Sequence, residues 1–362
     1  MSTRDPRAGA RNRTRDDRAR SGAARASARR DRPSGVRRPA ERTPQRSVEP
    51  LLRGEGLVLG TVPLLARLSG VLLVLAGIAG IASAFPTYLV VDDRALTLAG
   101  GPAATLAAVL VPLAHLLVGG VLTLGRVPKL GLAYATVAAA LGTGRLLIEI
   151  YLGRSSTDRP GVEVLAGELV LTTRVDVGLG WVLAVLSLGL LVLAGGVAVV
   201  AWGRTVMDDA GALDPARSGL AGAAVLLGVA TVLCLTLPTA DVPDDLVTDP
   251  VSGLVTVVPR EGPQGLLERP LLALLGGLLL AGAVLLCSAL APSLRPRLAA
   301  VGGFLAIATV VLAAGIGGWA DATGSDDLDW TVPGAGLLFA GVGYGLLTVL
   351  AWRLHRETAP ER

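Results

Sequence analysis

Lysine is almost absent from this chain: of 33 basic residues, all but Lys129 are arginine. Histidine is nearly as scarce, represented by His115 and His355 alone. No G-x-S-x-G, Walker A, H-E-x-x-H or paired-cysteine pattern occurs, so the usual carriers of hydrolytic, nucleotide-dependent and zinc chemistry are missing. Cys234 and Cys287 both fall inside apolar runs, where cysteine serves as a small packing residue and not as half of a disulfide or metal site. Aromatic residues make up 3% of the chain, and none lies within residues 1–53. That excludes the stacking platform expected of a nucleic-acid arm. No catalytic function, metal or cofactor is therefore expected.

Apolar residues are abundant: they form 52% of the chain, and the mean hydropathy is +0.61. They are gathered into runs close to the ~20 residues needed to cross hydrocarbon. The sequence therefore predicts an all-α polytopic membrane protein with eight transmembrane helices, at about 67–88, 103–125, 130–152, 177–202, 218–238, 270–292, 298–319 and 334–352. The arginine-for-lysine bias, with heavy Ala, Gly, Val and Leu usage, reads as a high-GC bacterial genome, which makes the cytoplasmic (inner) membrane the expected location.

Residues 1–53 are a different kind of sequence. They carry sixteen Arg against six acids, with Ser, Ala, Pro and Gly between them. Such a segment has too little apolar surface to offset its ordering entropy, so a disordered arm is expected. Its Arg content is far too long for a signal peptide. It reads as a topology signal that holds the N-terminus inside, or as a polybasic arm on anionic lipid. Residues 54–66, apolar but broken by Gly and Pro, read as an interfacial approach to the first span.

Orientation follows from the short loops. RVPK at 126–129 and LRPR at 294–297 are purely basic, and Arg204, Arg217, Arg353, Arg356 and Arg362 fall on the same side. The positive-inside rule places that side in the cytoplasm, together with both termini and the 354–362 tail. Trp181, Trp319, Trp202, Trp352, Tyr88 and Tyr151 fall at the expected helix ends, as interfacial belts do.

Phe85-Pro-Thr-Tyr-Leu-Val-Val-Asp-Asp93 is echoed by Leu237-Pro-Thr-Ala-Asp-Val-Pro-Asp-Asp245, identical at five of nine positions. Each copy closes an apolar run. Pro128-Lys129 likewise answers Pro296-Arg297, Gly178-x-Gly180 answers Gly334-x-Gly336, and Ala201-Trp202 answers Ala351-Trp352. These anchors keep their order and imply two four-helix membrane repeats, 67–204 and 218–353. An even number of spans in each makes the repeats parallel, related by an axis along the membrane normal. In the outer loops, β-rich runs at 162–175, 254–258 and 88–99 predict hairpins forming a small extracytoplasmic cap.

Ionisable groups at membrane depth are costly and point to function. His115 lies midway along span two, and Arg145 and Glu149 stand one turn apart on span three, able to pair at i, i+4. These three are the candidate binding residues, weighed against a packed histidine and an interfacial Arg–Glu anchor pair. Aligning Pro128 with Pro296 puts Ala313 and Gly317 opposite Arg145 and Glu149. The outer acids Asp244, Asp245, Asp321, Asp326, Asp327 and Asp329 lack the spacing of an EF-hand and read as solvated loops. The functional expectation is a membrane scaffold or accessory subunit, with the bilayer and a second membrane protein as partners and no nucleic acid. The alternative is a transporter or permease for a small or lipidic substrate, its path running between the repeats.

Overall fold

Proline sets where several helices begin. It stands at the first turn of α2 (Pro102–Thr123) and α3 (Pro128–Leu152) and at the N-cap of α1 (Leu64–Ser83), α6 (Leu271–Leu290) and α7 (Arg297–Gly324). There its missing N–H costs nothing and its fixed φ suits the helix. The computed structural model describes residues 57–354 apart from 92, 155–161, 167, 172–173, 210–212, 214–215, 249, 251–254, 259–264, 266–268 and 326–327. The expectations for residues 1–53, for 54–56 and for the tail beyond Leu354 lie outside the described residues. The remaining helices are α4 (Leu179–Trp202), α5 (Arg217–Leu235) and α8 (Val332–Arg353). The described residues are mostly helical, and eight helices among them are long and apolar enough to cross a membrane.

α3 and α7 form the centre and are the most buried of the eight. α3 packs on α4, α6 and α7, and α7 on α2, α3 and α8. Close approach depends on missing side chains. A Cβ on Gly144 would sit 2.5 Å from the Gly276 carbonyl, and one on Gly276 would sit 2.7 Å from that of Gly144. This small-residue crossing joins α3 to α6 as lipid-embedded helices are joined, by packing. Hydroxyl groups add direct bonds between helices: Ser69 donates to Ala194 O at 2.9 Å, and Ser187 to Ala76 O at 2.7 Å, tying α1 to α4.

At one end of the bundle, two buried cations hold helix C-termini. Lys129 Nζ donates to Trp202 O at 2.6 Å and lies 4.0 Å from the Trp202 ring centroid. Arg297 donates to Trp352 O at 2.6 Å. Each cation meets carbonyls that α4 or α8 leaves unpaired at its last turn, where the helix dipole is negative. At the same end β1 (Leu57–Leu59) pairs antiparallel with β7 (Met207–Asp209). The stretch read as an interfacial approach thus holds a strand, and α1 starts at Leu64, a turn earlier than the pattern gave.

The opposite end carries the other strands. β2 (Leu89–Val91) pairs with β3 (Arg94–Leu96) and with β6 (Val175–Val177). β4 (Val162–Leu165) and β5 (Glu168–Leu171) form a hairpin, turning at Ala166 with φ 53°. β8 (Ala240–Asp241) pairs with β11 (Asp329–Trp330), and β9 (Asp245–Thr248) with β10 (Val255–Val258). The β4–β5 hairpin packs two ways: Leu165 joins Tyr88, Leu89 and Leu96, while Val164 and Leu169 lie against Ala240, Val242 and Leu328.

Candidate functional site

Between the helices, toward the hairpin end, lies a cavity of about 410 Å³ to which each of the eight helices contributes at least one residue. Its wall is mostly small and apolar: Ala104, Ala107 and Ala108 of α2 face Ala313, Ala314 and Gly317 of α7. Small side chains on both helices leave the space that larger ones would fill. Gly317 illustrates this, since a Cβ there would meet only Ala107, at 4.0 Å. Pro112 sits inside α2 and also lines the cavity. Its ring takes the room left by Gly80 of α1, where a Cβ would lie 2.7 Å away.

His115, Arg145 and Glu149 all line this cavity. His115 is 3% exposed and rests edge-on to Tyr134, with ring centroids 5.8 Å apart. Among the described residues, neither of its ring nitrogens has a hydrogen-bond partner. A buried polar group without a partner is costly and calls for a water or a ligand. Glu149 is partly buried and accepts a hydrogen bond from the Tyr88 hydroxyl, while its backbone carbonyl accepts from Trp181 Nε1 at 2.8 Å. Arg145 is exposed and forms no hydrogen bond or ion pair among the described residues, although it lies within electrostatic reach of His115 and Glu149. Tyr88 takes the position on Glu149 that the helical i, i+4 spacing offers to Arg145.

Asp321 is the site residue that sequence reasoning missed. The sequence pattern places it in a solvated loop, because the apolar run fades after Trp319. The helix instead runs on to Gly324, through Ala-Asp-Ala-Thr, which contains no breaker. Asp321 therefore sits in the final turns of α7 and lines the cavity. It is partly buried and has no hydrogen-bond or ion-pair partner among the described residues. The signal was available: Ala313, Gly317 and Asp321 are spaced i, i+4, i+8, the helical stripe already drawn opposite Arg145 and Glu149, continued by one turn.

A second, smaller cavity of about 180 Å³ adjoins the first and shares Leu152, Val164 and Asp321 with it. Its own wall is more polar and includes Tyr151, Glu163, Thr239 and Arg269. Tyr151 donates to Glu163 at 3.4 Å. Among the described residues, no group of three His, Cys, Asp or Glu lies close enough to hold a metal ion. Asp326 and Asp327, two of the outer acids weighed for a cation, lie outside the described residues. The chain matches no family model, no curated protein and no solved structure.

Proposed function

We propose that this protein is a multi-pass carrier of the bacterial cytoplasmic membrane that binds a small or lipidic solute in the chamber between two parallel four-helix repeats. The observation that carries this reading is the chamber itself, lined from all eight helices and holding Arg145, Asp321 and the buried His115, whose ring nitrogens have no partner among the described residues. Polar groups at that depth have a use only when something polar meets them. Asp321 matters here because a solute path between repeats takes groups from both, and it is the charged contribution of the second half.

The repeat reading draws support from paired details. β6 joins β2, and β11 joins β8, so each half closes its first and fourth helices with the same strand pairing. Gly180 N donates to Thr87 O, and Thr331 N to Thr239 O, which puts both Pro-Thr motifs against the start of the fourth helix. Lys129 on Trp202 O is answered by Arg297 on Trp352 O. Across the halves, α2 meets α7 as α6 meets α3.

In this reading the hairpin end is extracytoplasmic and caps the chamber, and the Arg-rich arm and both termini are cytoplasmic, the arm lying on anionic lipid. The orientation has its own test. In a background with Cys234 and Cys287 replaced by alanine, single cysteines at Gly203, Val206 and Ser293 are expected to resist an impermeant thiol reagent in intact cells. Cysteines at Arg174, Asp244 and Asp329 are expected to label. The reverse pattern would invert the protein in the membrane.

A non-transporting scaffold or accessory subunit is the second reading. It is favoured by the end where the basic turns lie, since Lys129 and Arg297 there are occupied in holding the ends of α4 and α8. Purification of the full chain in a mild detergent separates the two. The carrier reading expects the protein alone, with its melting temperature raised by members of a panel of small amphipathic solutes; binding at 100 times Kd adds ~2.7 kcal/mol. A stoichiometric protein partner, with no solute shifting the melt, would establish the scaffold.

A further inference from the structure

The charges that face the chamber are of both signs, and the two without partners are opposite. Arg145 on α3 and Asp321 on α7 line the same space, and neither has a hydrogen bond or ion pair among the described residues. Glu149 differs from both, because the Tyr88 hydroxyl already serves it. At ~1.5 Å per residue from the crossing where a Cβ on Gly302 would meet Leu130 O, Arg145 stands about 22 Å along α3 and Asp321 about 28 Å along α7. The two do not pair with each other directly, so both are open to a small solute in the space they share. The wall of the same space includes the small apolar residues Ala107, Ala313 and Gly317.

Resting on the carrier reading, we infer that the chamber selects a zwitterion with an apolar body, its anionic group on Arg145 and its ammonium on Asp321. An anionic amphiphile would serve Arg145 and leave Asp321 facing a like charge. A cationic amphiphile would serve Asp321 and bring a like charge to Arg145. Only a ligand carrying both groups pairs each, and a site built around such groups rejects an analogue that lacks one far more strongly than it rejects a missing methylene. The unpartnered nitrogens of His115 lie deeper, where they meet water or a polar atom of the ligand body. The chemistry has two natural sources: a free α-amino acid with an apolar side chain, or the ethanolamine headgroup of a phospholipid entering from the bilayer.

The test uses the full-length protein in detergent and three isosteric probes. L-phenylalanine carries both charges, 3-phenylpropionate lacks the ammonium, and phenethylamine lacks the carboxylate. Lysophosphatidylethanolamine is the fourth probe and represents the headgroup source. Calorimetric binding is expected to favour L-phenylalanine or the lysolipid over the single-charge probes by tenfold or more. Which of the two binds more tightly identifies the source. Asp321→Asn is expected to erase the preference over phenylpropionate, and Arg145→Gln the preference over phenethylamine, with the melting temperature of each variant checking that it is folded. Equal binding of a single-charge probe to the wild-type protein, or ratios unmoved by both substitutions, would overturn the zwitterion and leave the chamber standing. If no probe binds and no member of the wider solute panel binds either, the chamber reading falls with it.

Discussion

Gly302→Leu is expected to lower the melting temperature of the detergent-solubilised protein by roughly 6–12 °C, at ~2–4 °C per kcal/mol for a chain of this order of size. A Cβ at this position lands against the carbonyl of Leu130, closer than real atoms approach. The obstacle is helix backbone and not the tip of a flexible side chain, so neither rotamer change nor local shift relieves it. The two central helices must separate at their crossing near the Lys129 end, where Phe304 is fully buried. Overpacking costs ~1–3 kcal/mol where neighbours yield and more where they do not, and this site belongs to the second kind, at about 3 kcal/mol. Gly189→Leu is the matched control. Nothing lies within 4 Å of a Cβ there, and leucine is the better helix former by under ~1 kcal/mol. If Gly302→Leu melts within a degree of Gly189→Leu, α3 and α7 do not cross as described.

Much of this architecture was legible in the sequence because lipid imposes a simple rule on it: a helix that satisfies its own backbone over ~20 apolar residues. Helix starts at Pro102 and Pro128 were read to within two residues. Ends were read less well, because hydropathy marks where lipid stops and not where a helix does. α1 ends at Ser83, five residues short of Tyr88, and the Pro86-Thr87 segment turns into β2 instead. α7 runs past Trp319 because its polar residues tolerate helix, and that overrun brought Asp321 to the chamber. Pairings between distant strands carry no local signal at all. Leu57–Leu59 finds Met207–Asp209 across some 150 residues, and only the fold brings them together. The same holds for the site. His115, Arg145 and Glu149 stood out as charges out of place, whereas the cavity uniting them with Asp321 depends on which alanines of α2 face which of α7.

Gly317→Phe is expected to abolish solute binding while leaving the protein folded. The position is suited to the purpose: a Cβ there meets only Ala107, at 4.0 Å, and the space beyond is the chamber of about 410 Å³. A phenylalanine ring fills volume between α2 and α7 where no packing is displaced, so the melting temperature is expected to hold or rise, as filled cavities commonly add ~0.5–2 kcal/mol. Any solute that occupies the chamber must lose the space the ring takes and its approach to Arg145. Affinity is expected to fall by about 100-fold or more, which is ~2.8 kcal/mol at ~1.4 kcal/mol per decade. Gly219→Phe on α5 is the control, placing the same ring where a Cβ meets nothing within 4 Å. A Gly317→Phe protein that melts like the wild type and binds its solute as tightly would show that the chamber is not the binding site. The unpartnered His115 nitrogens would then belong to buried water alone.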